Sequence, residues 1–193
     1  MDGPSLINRS KEVSHIITHE LEKLSLDIIS GDAEARLSAL KRMDELAISK
    51  DVDSTVLPNL IILLGSSEAE DRRRASRIIA KMAQNKIEAF WPFDALNSLT
   101  EDRDPEVREN AAWALGELAG MRVGVHSSMA FLTKLLLDRE AMVRGTASWA
   151  LGQFADRLHM ISPLAIERLD KLTYDRSPYV SRSAACALSI MRD

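Results

Sequence analysis

Apolar residues recur along this chain at the three- and four-residue spacings that place side chains on one face of a helix. From Pro105 onward, Val107, Ala111, Ala114, Leu115 and Leu118 share one face, and Glu106, Glu109, Asn110, Trp113 and Glu117 fall on the other. A second register precedes it, in which Leu24, Leu60, Leu96, Leu132 and Leu169 correspond, followed in the last four copies by Leu63, Leu99, Leu135 and Leu172. Asp27 holds that later place in the first copy, between Leu26 and Ile28, so its helix is expected to be turned slightly or to leave that edge open as an end cap. No segment alternates apolar and polar residues over strand length between turn signals, and the pattern therefore predicts helices alone.

The two registers belong to a repeat. Asp-Arg-Asp-Pro-Glu-Val-Arg-Glu-Asn-Ala-Ala-Trp-Ala-Leu-Gly-Glu-Leu-Ala at 102–119 returns as Asp-Arg-Glu-Ala-Met-Val-Arg-Gly-Thr-Ala-Ser-Trp-Ala-Leu-Gly-Gln-Phe-Ala at 138–155, an offset of 36. Val180, Ala184, Ala187 and Leu188 continue it at an offset of 37, and Arg72, Ala75, Ile79, Met82 and Ala83 precede it by 36. A further step back reaches Arg36, Ala39, Met43, Leu46 and Ala47. Helix starts fit this parse. Asp104-Pro105, Ser162-Pro163 and Ser177-Pro178 each set a capping side chain before a proline, and Ser67 with Glu70 reads as a capping box. About five two-helix units are expected, at 11–47, 54–83, 90–119, 127–155 and 162–193, within one domain over 11–193 behind a flexible tail at 1–10. Because one such unit cannot bury its apolar face alone, the units stack into an all-α solenoid with a continuous core.

The wording excludes two helical repeats and resembles a third. A tetratricopeptide repeat sets Trp three positions before Leu-Gly, whereas Trp113 and Trp149 stand two before it, and no ankyrin Thr-Pro-Leu-His occurs. Asp-x-Asp-Pro-x-Val-Arg-x-x-Ala-Ala-x-Ala-Leu-Gly-x-Leu resembles the HEAT family, in particular its short phycobilisome-lyase-type variety. The resemblance implies a right-handed α-α superhelix, a concave surface lined by the outer side of each second helix, and a polar ladder between repeats. Asp102 with Arg108 and Asp138 with Arg144 are its expected rungs, structural rather than catalytic. The pattern departs where Ser30 and Ser66 stand at the Asp102 position and where Arg182 is shifted by one.

On that implied surface Lys41, Arg77, Trp113, Trp149 and Cys186 form one stripe. Repeat two adds Arg73, Arg74 and Lys81, and residues 66–86 carry six basic and three acidic side chains. Repeats four and five present Met142, Trp149, Gln153, Tyr179, Cys186 and Ile190, large apolar groups where a solvated helix carries Lys and Glu. The expected function is a scaffold or adaptor that holds a protein segment carrying acidic residues, with Arg73, Arg74, Arg77 and Lys81 attracting it and Trp113, Met142, Trp149 and Tyr179 anchoring it.

Composition narrows the alternatives. A formal charge of -4 argues against a dedicated nucleic-acid binder, although HEAT-like DNA glycosylases use a basic groove. No apolar stretch is long enough to cross a bilayer, and one cysteine with no signal segment favours the cytoplasm. His15, His19 and Glu20 lie about one turn apart, but no second cluster accompanies them, and neither a metal nor another cofactor is expected. A bilin-lyase-like accessory role, with a bilin stacked on the tryptophans and its propionates on the arginines, is the alternative that the resemblance implies.

Overall fold

A computed structural model describes residues 6–192, with side-chain surroundings from residue 15 onward. Those residues form ten α-helices and one 3-10 turn at Ser54–Val56, with no strand among them. The first repeat pairs α1 (Leu6–Ser30) with α2 (Ala33–Ser49), and the second pairs α3 (Leu57–Leu64) with α4 (Ala69–Gln84). Then come α5 (Phe93–Leu99) with α6 (Pro105–Gly120), α7 (Ser128–Leu135) with α8 (Ala141–Leu158), and α9 (Pro163–Leu172) with α10 (Pro178–Arg192). Helix α1 begins inside the stretch expected as a tail, because nothing between Pro4 and Gly31 breaks a helix. Residues 1–5 of that stretch lie outside the described residues.

The second helices pack in an unbroken row, α2 on α4, α4 on α6, α6 on α8 and α8 on α10, while successive first helices barely touch. A layer whose members pack closely while the other layer splays must lie on the inside of the bend, so the second helices line the concave face. The core runs between the layers: Val107, Ala111, Ala114, Leu115 and Leu118 are sealed from solvent, as are Leu60, Leu96, Leu132 and Leu169. Asn110, expected on the open face, is buried and donates through Nδ2 to the Arg73 carbonyl at 3.2 Å. Neighbours on both sides of α6 leave only a narrow strip of it open. In α1, Leu21, Leu24 and Ile28 are buried while Leu26 and Ile29 face outward, so the first repeat keeps the core register and leaves its other edge uncovered.

Caps follow the sequence in part. Asp104 accepts from the N–H groups of Glu106 and Val107, and Ser162 from that of Ala165. The capping box at Ser67 and Glu70 does not form: the Ser66 hydroxyl accepts from the Glu68 N–H at 3.2 Å, and α4 starts at Ala69. A repeat-wide feature emerges at the other helix ends. Lys50, Lys86, Arg122 and His159, one repeat apart, are the only non-glycine residues with positive φ among those described, and all four are basic or histidine. The N–H of the following residue reaches back to Leu46, Met82 and Leu118 in the first three cases. This is a Schellman closure with a cation-forming side chain at the negative end of the helix dipole. In the fourth, Met160 reaches Phe154, one residue further back. The extra residue that makes the last offset 37 is therefore absorbed at the end of α8.

Candidate functional site

The ladder is present with its partners displaced by one repeat. Arg108 grips the carboxylate of Asp138, at 2.7 Å through Nε and 2.8 Å through Nη2, not that of Asp102. Its Nη1 meanwhile donates to the carbonyls of Asp102 and Arg103 at its own corner. Arg72 does the same with Asp102 and the carbonyls of Ser66 and Ser67, and Arg144 with Asp175 and the carbonyls of Asp138 and Arg139. Each arginine thus closes one corner and reaches across to the next, a fork that its planar geometry allows. Burial raises the Asp102 and Asp138 carboxyls, but the arginine and a backbone N–H outweigh it and hold both below the usual carboxylate value. At the first junction Ser66 occupies the aspartate's place, and Asp71 from within α4 meets Arg36 at 3.0 Å while accepting from Ser66 Oγ at 2.9 Å.

On the concave face, every cation expected to attract a partner already has one. Arg73 meets Asp104, with Glu70 and Glu106 beside it; Arg74 meets Glu70 at 2.6 Å; Arg77 meets Asp44 at 3.2 Å. Lys81 lies over the Trp113 ring, 5.4 Å from its centre. The guanidinium of Arg73 holds the Asp104 carboxyl well below its ordinary value. Part of the local positive excess read from the sequence is matched by carboxylates of neighbouring repeats, Asp104 for Arg73 and Asp44 for Arg77, while Arg74 pairs within its own helix.

Trp113 and Trp149 are half-buried, and Tyr179, 37% exposed, also rests on a neighbouring helix. Trp113 Nε1 donates to Glu117 at 2.9 Å, and Gln84 donates to the same oxygen at 3.3 Å. Trp149 lies on Gly116 of α6, and Tyr179 lies on Gly145 of α8; a Cβ at either glycine would overlap the ring. The Tyr179 hydroxyl and that of Thr146 share a hydrogen bond at 3.1 Å. The glycines inside these helices were a legible signal, since a glycine in a helix interior costs stability unless something must approach there. Which ring would occupy them was not legible, because that depends on the offset between repeats.

Two cavities open along this face. One of about 460 Å³ is bounded by Trp113, Met142, Glu106, Glu109 and Glu140. Burial, with Glu106 adding to it, pushes the Glu109 carboxyl up despite a hydrogen bond from Thr146. The second, of about 320 Å³, lies between Trp149, Tyr179, Arg182, Cys186 and Ile190. Of the expected site residues, the structure thus sets Trp113 and Met142 at the first cavity and Trp149 and Tyr179 at the second. Cys186 is exposed at the second cavity. The histidine pair of α1 gathers no metal-binding cluster among the described residues, and Glu20 accepts from Arg42 at 2.7 Å. No described helix is long and apolar enough to cross a membrane.

Among solved structures, a computationally designed armadillo repeat protein for modular peptide recognition is similar at 26% identity, with a TM-score of 0.73 over 88% of this chain and 81% of that one. The complex of CpcE and CpcF of phycocyanin lyase from a Nostoc species is similar at 20% identity, with a TM-score of 0.67 over 99% of this chain and 67% of that one. The latter likeness concerns the fold alone. No curated protein matches the chain. The family model for HEAT repeats matches residues 56–151 and again 93–189. With that match covering well over half of the sequence, and with the ladder and stacked helix pairs in place, the chain belongs to the HEAT repeat family.

Proposed function

We propose that the concave face holds an extended segment of another protein, and that its two cavities read side chains of different chemistry. The observation that carries this reading is the cavity of about 320 Å³ walled by Trp149, Tyr179 and Ile190, an apolar recess on a helix row that is otherwise charged. Recesses of this kind, with aromatic walls and a polar rim, are where anchoring side chains of a partner are desolvated. One repeat away, Glu109 and Glu140 face the other cavity in no ion pair of their own, while Arg77 at its edge is paired with Asp44, and they favour a lysine or arginine of the same segment. The expected acidic preference is not retained for this face, because Arg73, Arg74 and Arg77 are engaged with carboxylates of their own. The same engagement weighs against propionates of a bilin or phosphates of a nucleic acid in the groove. That a structural relative is designed for peptide recognition supports the choice of a peptide segment.

Cys186, the single cysteine, supplies the test. A photo-crosslinker attached to its thiol is expected to capture a partner segment, with the cross-linked peptide identified by mass spectrometry. Met142→Lys, at a residue 52% exposed, sets a competing cation beside Glu109 and Glu140 and should abolish capture without changing the melting temperature. Undiminished capture by the Met142 variant would place the partner elsewhere.

A further inference from the structure

A cavity of about 1280 Å³, larger than the two described above, is not on the concave face. It lies on the opposite layer, where the short helices α7 and α9 barely touch, and it is bounded by the corners that precede α6 and α8. Its apolar floor includes Leu137, Ile161 and Leu164, which are 65%, 46% and 48% exposed. Its rim carries Arg103, Arg139 and Arg168. We propose that this trough is a second docking surface, and that its occupant is a segment of a partner protein in which acidic residues are interleaved with large apolar ones.

Charge decides the occupant. Glu101 is paired with Lys134 at 2.7 Å, and Asp102 and Asp138 are locked into the ladder. Glu140, at the far edge, is the one remaining carboxylate of the lining, and it lies in the field of Arg108. Arg103 and Arg139 have no carboxylate partner among the described residues, and Arg168 spends only Nη1, on the Thr133 carbonyl at 2.8 Å. The trough therefore presents uncompensated positive charge, unlike the groove on the other side. Position follows from the ladder itself. The carbonyls of Arg103 and Arg139 accept from Arg108 and Arg144, at 3.2 and 3.0 Å, so the backbone at both corners is held alike. Asp-Arg recurs at 102–103, 138–139 and 175–176, giving one such arginine in each of the last three repeats.

The floor excludes a purely anionic ligand, because exposed leucine and isoleucine side chains gain nothing from a phosphate or a homopolymer of glutamate. The volume exceeds that of most small-molecule sites, about 300–1,000 Å³, and suits several consecutive side chains. Packed helices stand about 8–10 Å apart, so successive arginines match acidic residues about three positions apart in an extended segment.

A fluorescein-labelled peptide with glutamate at every third position and leucine or phenylalanine between them is the probe, read by fluorescence anisotropy against the intact protein. Binding that weakens with salt is expected. Arg103→Glu with Arg139→Glu should weaken it about tenfold or more and flatten its salt dependence, whereas Leu137→Ser with Ile161→Ser should weaken it while keeping the salt slope. All four residues are exposed, and helix content and melting measured on each variant confirm folding. Met142→Lys should leave the affinity unchanged, which separates this trough from the concave groove. The inference is overturned if the peptide fails to bind, or if a glutamate homopolymer or duplex DNA binds as tightly. Self-association of the protein that Leu137→Ser abolishes would equally overturn it, by assigning the trough to a second copy of the chain.

Discussion

The junction between repeats one and two and the junction between repeats three and four solve the same problem with different residues. In the later one, Arg108 forks onto Asp138 through two nitrogens and closes its own corner with a third, and Asp138 also accepts from the Glu140 N–H. In the earlier one, Ser66 takes the N–H at the corner, while Asp71, a helical turn further on, takes the arginine through a single approach to Arg36 Nε. That nitrogen lacks the alignment of a hydrogen bond. Two roles that one aspartate performs are divided between a serine and an aspartate, so the two junctions share an accepted corner N–H and an aspartate set against the arginine, and not the motif that usually supplies them.

The largest expected effect follows from that difference. Asp138→Ala strands a guanidinium whose side chain is only 16% exposed, and should cost about 3 kcal/mol. Asp71→Ala releases Arg36, 24% exposed and able to turn to water, and should cost about 1 to 2 kcal/mol. Urea unfolding of the two variants beside the parent measures both, and equal losses would mean that the divided rung is as strong as the forked one. Restoring the usual wording with Ser66→Asp and Asp71→Ala together sharpens the comparison. Thirty positions separate Arg36 from Ser66, as they do Arg72 from Asp102, so the double variant should recover stability to within about 1 kcal/mol of the parent.

Acid should expose the same contrast at smaller amplitude. Asp102, Asp104 and Asp138 have folded-state pKa values below their unfolded ones, so their stabilisation is complete above about pH 4 and is lost as pH falls through the depressed values. The pair Asp102→Asn and Asp138→Asn should therefore flatten the acid limb of a stability profile measured by chemical denaturation. Glu109 has the opposite sign: its raised value means that ionisation costs stability once pH exceeds that of an unfolded glutamate. Glu109→Gln should be more stable than the parent at neutral pH and indistinguishable from it below about pH 4.

Most of the fold was legible because a repeat reports each position several times. Val107, Val143 and Val180 all read as core and all are buried. The polar site was less legible for a physical reason. Sequence spacing gives the face of one helix, but an ion pair between repeats depends on which neighbour is within reach. Arg73 and Arg77 therefore looked free, although Asp104 and Asp44 lie 31 and 33 residues away in sequence and beside them in space. The same limit displaced the ladder partners by one repeat. The apolar floor of the trough between α7 and α9 left no periodic signal, because it is made by ends of short helices whose separation is set by the packing of the other layer.

The helix ends supply a control that both junctions should answer alike. Lys50 and Lys86 have φ of 68° and 60°, and each is followed by the same backward bond, from Asp51 to Leu46 and from Ile87 to Met82. A side chain in the left-handed region is disfavoured relative to glycine, so Lys→Gly at either site relieves the backbone. It also removes a cation from the negative end of the helix, which at low ionic strength costs about 0.3–1 kcal/mol and which salt screens. The two effects nearly cancel in dilute buffer. In high salt the backbone gain should remain, leaving Lys50→Gly and Lys86→Gly each about 0.5 kcal/mol more stable than the parent. Thermal melts at low and high salt separate the contributions. If one variant gains in salt while the other does not, the two closures are not equivalent, and the difference between the first repeat and the second, whose Arg72 forks onto Asp102, extends beyond the ladder to the helix ends.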